Sequence, residues 1–192
     1  MGNPGDEYAT HRHNIGFHVV DFIAEKCGIS FRKPHFYSNY LLAECVYRRK
    51  SFFLVKPMTF MNRSGEVLKS VLQQTKTSFE NVIIVFDNLD LELGTIKLKI
   101  KGSSGGHNGL ESLIASAKTE NIKRLGIGIG RPKHKGDVIS YVLGTPERHD
   151  AAILAGAVKR AALELLNLSN QTLVQVMNQI NRRNNEDDPQ KD

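Results

Sequence analysis

The 192-residue chain is poor in the residues that cross-link small secreted proteins, with only two cysteines and no tryptophan. Cys27 and Cys45 form no CxxC pair and no Cys/His cluster at zinc spacing, which argues against a disulfide framework or a structural metal and predicts two reduced thiols. No apolar run approaches the roughly 18–20 residues of a membrane span, and the amino-terminal stretch MGNPGDEYATHRHN lacks the apolar core of a signal peptide. These absences exclude a secreted disulfide scaffold and predict a cytoplasmic protein without a membrane partner.

What the chain does contain is an ordinary globular balance with an excess of positive charge. Hydrophobic residues make up 40% and charged residues 24%, enough to bury a core. One domain is predicted over residues 1–182, followed by a disordered polar tail over 183–192. Lysine and arginine number 26 against 20 acidic residues, and the end of the chain is acid-rich, so the domain itself is more basic than the net charge of +6. This excess favours a polyanionic partner such as nucleic acid.

Helical and strand patterns alternate along the chain without internal repeats. Apolar spacing predicts helices over 16–26, 66–74, 110–118, 151–166 and 171–181, and strands over 40–47, 51–56, 81–86, 95–101 and 124–129. This order predicts an α/β fold, a single domain with a mixed twisted sheet and helices on both sides. A Gly-Asn-Pro-Gly turn usually follows a strand, but only Met1 precedes it here. Either the fold manages without that strand, or the given sequence begins inside it. We favour a truncated first strand, and a search for upstream in-frame codons that encode an apolar run would test this hypothesis.

The densest polar cluster follows this turn. Asn3-Pro4-Gly5 fixes the backbone a few residues ahead of His13, which precedes the first predicted helix. A neutral imidazole there suits a general base, because its ordinary pKa of about 6.5 lets it accept a proton near neutrality. The alternative is a helix-capping or surface histidine. A metal site at His11 and His13 is less favoured, because the spacing indicates no third ligand.

Acidic and amide side chains follow later strands and loops. Asp87 ends the buried strand in VIIVFDNLDL, where an acid can orient a histidine; Asp90 is the competing choice, and a turn-capping acid is the alternative for either. Asn62 in KPMTFMNRSG and Asn108 in GGHNGL offer N–H donors that suit an amide substrate or a developing oxyanion. For each asparagine taken singly, a structural turn role is favoured.

Two further patterns bear on phosphate binding. The loop GSSGGHNG lacks the Lys-Ser/Thr ending of a P-loop, and GIGIG reads as a strand interior, so nucleotide binding by either is disfavoured. Lys97, Lys99 and Lys101 alternate with apolar residues in one strand, and Arg124 and Arg131 follow. Such a stripe is more often a solvated face, but this one leads directly into the glycine-rich loop, which favours contact with a polyanion.

Taken together, these motifs resemble the bacterial-type peptidyl-tRNA hydrolase family. GNPGDEYATHRHNIG, KPMTFMNRSG, VFDNLDL, GSSGGHNGL and GIGIGRP occur in the family's order and at roughly its spacing, over nearly the whole chain. The resemblance implies a monomeric enzyme, without cofactor or metal, that cleaves the ester between a peptide and the 3′ ribose of tRNA. It implies His13 as the base that activates water and Asp87 as its orienting acid. It also implies a substrate-binding set made up of Asn3, Tyr8, Asn62, His107 and Asn108.

The chain departs from the family pattern at several positions. The apolar strand before GNPG is absent, His11 stands where threonine is common, and Asn88 stands where an acid is usual. Gly126 replaces an arginine that helps a lysine clamp a tRNA phosphate. We therefore expect Lys99, with Lys97, to contact phosphate, and Arg124, on the same strand face, to take part of the arginine's role. A non-catalytic RNA-binding relative is the second hypothesis, and a small-molecule hydrolase is disfavoured by the net charge.

Overall fold

The computed structural model describes residues 1–186, apart from the side chains of 135 and 183–186. The α-helices are α1 Ile15–Cys27, α2 Leu68–Thr75, α3 Asn108–Ala117, α4 Val138–Val142, α5 Arg148–Leu166 and α6 Leu173–Glu186. The strands are β1 Tyr40–Tyr47, β2 Lys50–Pro57, β3 Ile83–Asn88, β4 Ile96–Lys99 and β5 Lys123–Gly128. All the predicted elements are present, with ends shifted by a few residues, whereas α4 was not predicted. Residues 187–192 of the predicted tail lie outside the described residues.

The strands form two sheets. β1 and β2 pair antiparallel, joined by a turn at Arg48 and Arg49 whose φ angles of 49° and 66° fit a tight hairpin. The second sheet has the order β3-β5-β4, in which β5 runs parallel to β3 and antiparallel to β4. The prediction of an α/β domain with a mixed sheet is therefore confirmed. The structure differs from this prediction in one respect. Among the described residues, the β1-β2 hairpin forms a sheet of its own and does not pair with the mixed sheet.

Helices cover both faces of the mixed sheet because its strands are apolar on both sides. Val85 of β3 packs in a cluster with residues of α1, α5 and α6, whereas its neighbours Ile84 and Phe86 pack in a second cluster with residues of α2 and α3. Strands buried on both faces carry continuous apolar runs, as β3 does. β4 lies at the edge of the sheet and alternates instead, with Lys97 and Lys99 exposed as the sequence pattern predicted. No helix in the described part of the chain is long and apolar enough to cross a bilayer.

The two cysteines differ from the sequence-based expectation. Cys27, at the end of α1, and Cys45, in β1, are bonded to each other with their Cα atoms 6.1 Å apart, inside the usual range for a disulfide. The prediction of two reduced thiols is therefore wrong for this structure. The sequence could not reveal the pairing, because the packing of α1 against the hairpin brings the two residues together.

Met1 is buried although it begins the chain. Its amino group donates a hydrogen bond to the main-chain oxygen of Val85, at 2.6 Å, on the edge of β3 that has no partner strand within residues 1–186. Helix α1 packs closely here, since a Cβ added to Gly16 would lie 2.3 Å from the Met1 nitrogen. Residues 1–4 form no strand in the structure. The expectation of a truncated first strand stays a prediction.

The buried amino group makes stability depend on pH. Burial lowers the pKa of the Met1 amine from 8.0 to about 5, with Asp87 opposing the shift. The unfolded chain therefore binds more protons than the folded one between these values, and we expect the Met1 amine to raise the free energy of unfolding by about 3 kcal/mol from pH 5 to pH 8. Urea unfolding across this range measures it. An N-acetylated chain is the control, and an unchanged pH profile after acetylation would contradict the assignment.

Candidate active site

The amino-terminal turn is fixed by a reciprocal pair of asparagines. The Asn3 N–H donates to Asn14 Oδ1, and Asn14 Nδ2 donates to the Asn3 carbonyl oxygen, both at 2.9 Å. Asn3 Oδ1 in turn accepts a hydrogen bond from the Met61 N–H, at 2.7 Å. These three bonds tie the turn to the residue before α1 and to the loop before α2. They leave Asn3 Nδ2 without a partner among the described residues.

His13 and Asp87 are in direct contact. His13 lies in a single 3-10 turn that runs into α1, and Asp87 lies near the carboxyl end of β3. His13 Nδ1 is 2.8 Å from Asp87 Oδ1, and both side chains are buried. The structure therefore brings together the imidazole and the carboxylate that the sequence analysis proposed as a pair, although they lie 74 residues apart in the chain. Asp90, the competing acid, is exposed and paired with Arg131.

His107 contacts the same carboxylate oxygen. Its Nδ1 caps α3 by accepting hydrogen bonds from the N–H groups of Gly109, at 3.1 Å, and Leu110, at 3.3 Å. An acceptor nitrogen carries no proton, so we assign the proton to Nε2, which lies 3.0 Å from Asp87 Oδ1. Both ring nitrogens are thus occupied. Its predicted role in binding substrate stays a prediction; in the structure both ring nitrogens bond within the protein, one of them to Asp87.

The carboxylate between the two histidines is ionised. Burial alone raises the pKa of Asp87, but the electrostatic attraction and hydrogen bond of the His107 N–H group, together with those of the His13 N–H group, hold it well below its usual range. An ionised Asp87 accepts hydrogen bonds only, so we assign the proton of His13 to Nδ1. The unprotonated Nε2 of His13 is then available as a base. The helix cap at α3 therefore fixes, through His107 and Asp87, which nitrogen of His13 carries the lone pair.

Asn62 and Asn108 lie on neighbouring segments with exposed side chains. Asn62 follows Met61, which is bonded to Asn3, and Asn108 follows His107 at the start of α3. The two segments meet at Gly109, where an added Cβ would lie 2.6 Å from Met61 Sδ. A larger residue there would displace the Met61 side chain. Both carboxamides are therefore carried on backbone that also holds Asn3 and His107.

Aromatic side chains lie beside the turn. The ring of Tyr8 meets His11 edge to face, with centroids 5.4 Å apart, and Phe60 at 6.3 Å. Phe60 is 55% exposed and precedes Met61. Tyr8 was expected near the cleft, and it lies on the turn whose other end is Asn3. The sequence analysis did not identify Phe60 as a candidate site residue, because a single exposed phenylalanine in a loop belongs to no recognisable motif.

The basic residues divide into two groups. Lys97 and Lys99 are exposed on β4, as a phosphate contact requires. Arg124 is 3% exposed, and its guanidinium donates to the main-chain oxygens of Ile122, Ser103 and Glu120. It therefore holds the loop before α3 and the entry to β5. The expectation that Arg124 takes part of the missing arginine's role is not supported, because its donors are already used within the protein.

Three of these side chains also have the donor types of a metal site. The nearest ligand atoms of His13, Asp87 and His107 lie within 4.8 Å of one another. Each of these atoms is engaged in the hydrogen-bond chain described above, and the carboxylate Oδ1 serves both histidines. Two imidazoles and one carboxylate could also hold a transition metal. The sequence-based expectation of no metal stays a prediction.

Comparisons with known proteins identify the family. The family model described as peptidyl-tRNA hydrolase matches residues 1–188. The chain belongs to the peptidyl-tRNA hydrolase family. The peptidyl-tRNA hydrolase of Caldanaerobacter subterraneus is 40% identical over 181 residues, covering 94% of this chain and 96% of the relative. That of Listeria monocytogenes is 38% identical over 183 residues, covering 95% and 97%.

Solved structures of the peptidyl-tRNA hydrolase family share the fold. The crystal structure of the enzyme from Acinetobacter baumannii matches with a TM-score of 0.86 at 37% identity, covering 94% of this chain and 91% of that one. The resemblance expected from the sequence motifs is confirmed. The chain is accordingly a hydrolase of this family, and its His13–Asp87 pair stands at the carboxyl end of the mixed sheet, where open α/β sheets bind ligands.

Proposed function

We propose that this protein hydrolyses the ester that joins a peptide to the 3′ ribose of tRNA, with His13 as the general base. The observation that carries the proposal is the contact between His13 and Asp87 in a chain of this family. Peptidyl-tRNA is the substrate in the relatives' name, and this chain matches two of them over more than nine-tenths of its length. The second hypothesis, a non-catalytic RNA-binding relative, gives no reason for the buried histidine-carboxylate chain.

The proposed reaction needs only a water molecule and these side chains. Nε2 of His13 takes a proton from water as the oxygen attacks the ester carbonyl carbon, which leaves a tetrahedral oxyanion and an imidazolium. Asp87 stabilises the imidazolium, because its carboxylate accepts the Nδ1–H. The imidazolium then returns the proton to the departing 3′ oxygen as the carbon–oxygen bond breaks. The first products are a peptide carboxylic acid, which then loses its proton to solvent, and a tRNA with an intact 3′ hydroxyl.

Amide donors supply the remaining stabilisation. Asn3 Nδ2 has no partner among the described residues, and the carboxamides of Asn62 and Asn108 are exposed on the two adjoining segments. We propose that these groups, with Tyr8 beside them, bind the peptide and the attacked carbonyl. Such donors are effective when they face the oxygen on which charge develops. Because carboxamides are uncharged, they do not compete with the Asp87 carboxylate as partners of the His13 imidazolium.

A direct assay tests this function. Purified protein is incubated with N-blocked aminoacyl-tRNA, and release of deacylated tRNA is followed by gel shift. Multiple turnovers support the proposal, whereas tight binding without release supports the RNA-binding alternative. Sedimentation of the same sample tests the monomeric state, which is proposed along with a cytoplasmic location.

The basic edge strand is proposed to hold the tRNA backbone. Lys97 and Lys99 project from the exposed face of β4, free of ion pairs with other described residues. We expect Lys99→Ala to weaken tRNA binding and to lower the slope of log K against log salt by about one, because one fewer phosphate is neutralised. Binding measured at several salt concentrations checks this. Lys26→Ala, an exposed lysine at the end of α1, is the control, and a wild-type slope in Lys99→Ala would remove Lys99 from the interface.

Treatment with a chelator distinguishes a metal-free general-base mechanism from a metal-dependent one at the cluster of His13, Asp87 and His107. The proposed reaction uses these groups as base and orienting partners, so we expect EDTA treatment to leave turnover within about two-fold of the untreated rate, well below the factors attributed to a catalytic base. Added Zn²⁺ should inhibit by occupying the same atoms. Loss of activity on chelation, restored by a metal ion, would contradict the proposed mechanism.

A further inference from the structure

Two aromatic side chains project from the surface just before β1. Phe36 is 85% exposed and Tyr37 is 89% exposed, the highest values among the large hydrophobic residues in the described part of the chain. Their rings meet edge to face, with centroids 5.2 Å apart. Single exposed apolar residues are common on protein surfaces, whereas two adjoining rings in solvent form a small apolar patch that another molecule can cover.

The turn that carries the two rings is held in place by hydrogen bonds. The His35 N–H donates to Ser38 Oγ at 3.2 Å, and the Ser38 N–H donates to the His35 carbonyl oxygen at 3.0 Å. The His35 ring also reaches helix α2, where its Nε2 lies 2.8 Å from Gln74 Oε1. The aromatic pair is therefore presented on a turn that is already ordered, so little conformational entropy is lost when a ligand binds there.

The aromatic turn is attached to the loop that enters the active site. The Met58 N–H donates to the carbonyl oxygen of Asn39 at 2.7 Å. In the same loop, the Met61 N–H donates to Asn3 Oδ1, also at 2.7 Å. Between these two bonds lies Phe60, which is 55% exposed. One short stretch of main chain thus links the aromatic turn to the asparagines proposed to bind substrate.

The aromatic turn and the basic edge strand lie on opposite sides of the active site. Leu54 of β2 and Ile84 of β3 line one cavity, so the hairpin lies beside β3. In the mixed sheet, β5 separates β3 from β4. Asp87 near the end of β3, with His13 bonded to it, therefore lies between the hairpin and β4. With the tRNA backbone held at β4 as proposed, the peptide extends from the ester toward the hairpin and its aromatic turn.

The length of the linking chain limits how much peptide is needed to reach the rings. From Asn62 back to Met58, across the hydrogen bond to Asn39, and on to Tyr37, the main chain spans at most about 25 Å. An extended peptide covers that distance in about eight residues. A peptide of about ten residues is therefore long enough to contact both the reacting ester and the aromatic turn.

We propose that Phe36 and Tyr37 form a second contact site for the peptide of peptidyl-tRNA, where they bind an apolar side chain that lies up to about eight residues from the ester. The inference rests on the proposed function and extends it to a surface outside the reaction centre. Exposed rings bury aliphatic or aromatic side chains without requiring a particular sequence. RNA bases also stack on rings beside cations such as Arg32 and Lys33, both exposed here. The peptide is favoured because the strand proposed to hold tRNA lies across the site.

Two substrate analogues test this by their affinities. Each carries an N-acetylated ten-residue peptide of glycine and serine, joined to the 3′ position of the same tRNA by an amide that resists cleavage. One peptide has leucine at every second position from the fourth residue onward, counted from the tRNA, and the other has serine there. We expect the wild-type protein to bind the leucine analogue about tenfold more tightly, the factor that burial of one leucine side chain supplies.

A double variant assigns this preference to the rings. Phe36→Ser with Tyr37→Ser should bind the leucine analogue no more tightly than the serine analogue. Both side chains are exposed, so the variant should keep the wild-type Tm, which is measured in parallel. Val174→Ser removes an exposed apolar side chain on α6 and should retain the tenfold preference.

Three results would overturn the inference. They are equal affinity of the wild-type protein for the two analogues, a preference for leucine that survives in the double variant, and a double variant that binds both analogues more weakly but still prefers leucine. The last result would mean that the rings contact the tRNA common to both analogues. Ester-linked versions of the same peptides test the proposed function separately, because failure to cleave them leaves the affinities of the amides unchanged.

Discussion

His13→Ala is expected to lower kcat for peptidyl-tRNA cleavage by about 10³- to 10⁴-fold while leaving tRNA affinity nearly unchanged. The reason is that His13 Nε2 is the unprotonated nitrogen at the end of the chain Gly109 N–H, His107, Asp87, His13. A positioned general base contributes up to about 10⁴-fold, and its removal affects a step after binding. Single-turnover cleavage of N-blocked aminoacyl-tRNA and a separate tRNA-binding titration measure the two quantities.

His13→Asn is the matched control for the fold. An asparagine Nδ2 can replace the imidazole Nδ1 as the donor to Asp87, but it offers no group at the position of Nε2. We therefore expect His13→Asn to lose as much activity as His13→Ala and to retain more of the wild-type stability, because the buried carboxylate keeps a donor. Turnover within about tenfold of wild type in either variant would exclude His13 as the base and make His107 the next candidate.

The fold was predictable because its strands and helices carry clear periodic patterns. The run before Asp87 is apolar throughout and became a strand buried on both faces, and Lys97 and Lys99 alternate with apolar residues at the sheet edge. The Cys27–Cys45 bond was not predictable, because it depends on how α1 packs on the hairpin. Local periodicity contains no information on such contacts.

The site was predictable in part for a similar reason. A histidine before a helix and an acid at a strand end are positions that a sheet brings to one edge, so His13 and Asp87 could be chosen together. The contacts of His107 could not be predicted. They depend on hydrogen bonds donated by two backbone N–H groups of α3, and no pattern in the sequence indicates such bonds. Arg124 was misassigned, since strand alternation gives the face of a side chain but not whether the loop before α3 covers it.

Asp87→Asn is expected to lower kcat on the order of 10²-fold, less than the loss of His13. The amide is neutral, so it stabilises the imidazolium less than the carboxylate does. Both imidazole N–H groups contact the single oxygen Oδ1, so the amide oxygen of the variant can still accept them, but it holds the Nδ1 proton of His13 less strongly than a carboxylate does. Cleavage rates, with Tm measured in parallel, check this; activity near that of wild type would exclude an orienting role.

The double variant decides whether the two residues act through one another. If Asp87 acts only by orienting His13 and stabilising its charged form, it has no effect once the imidazole is gone. We therefore expect His13→Ala with Asp87→Asn to be no slower than His13→Ala alone, since the effects of residues that act as a unit do not add. A further loss of 10²-fold in the double variant would show that Asp87 acts on the substrate or water independently of His13. Asp87 would then be a second catalytic group rather than a positioning residue.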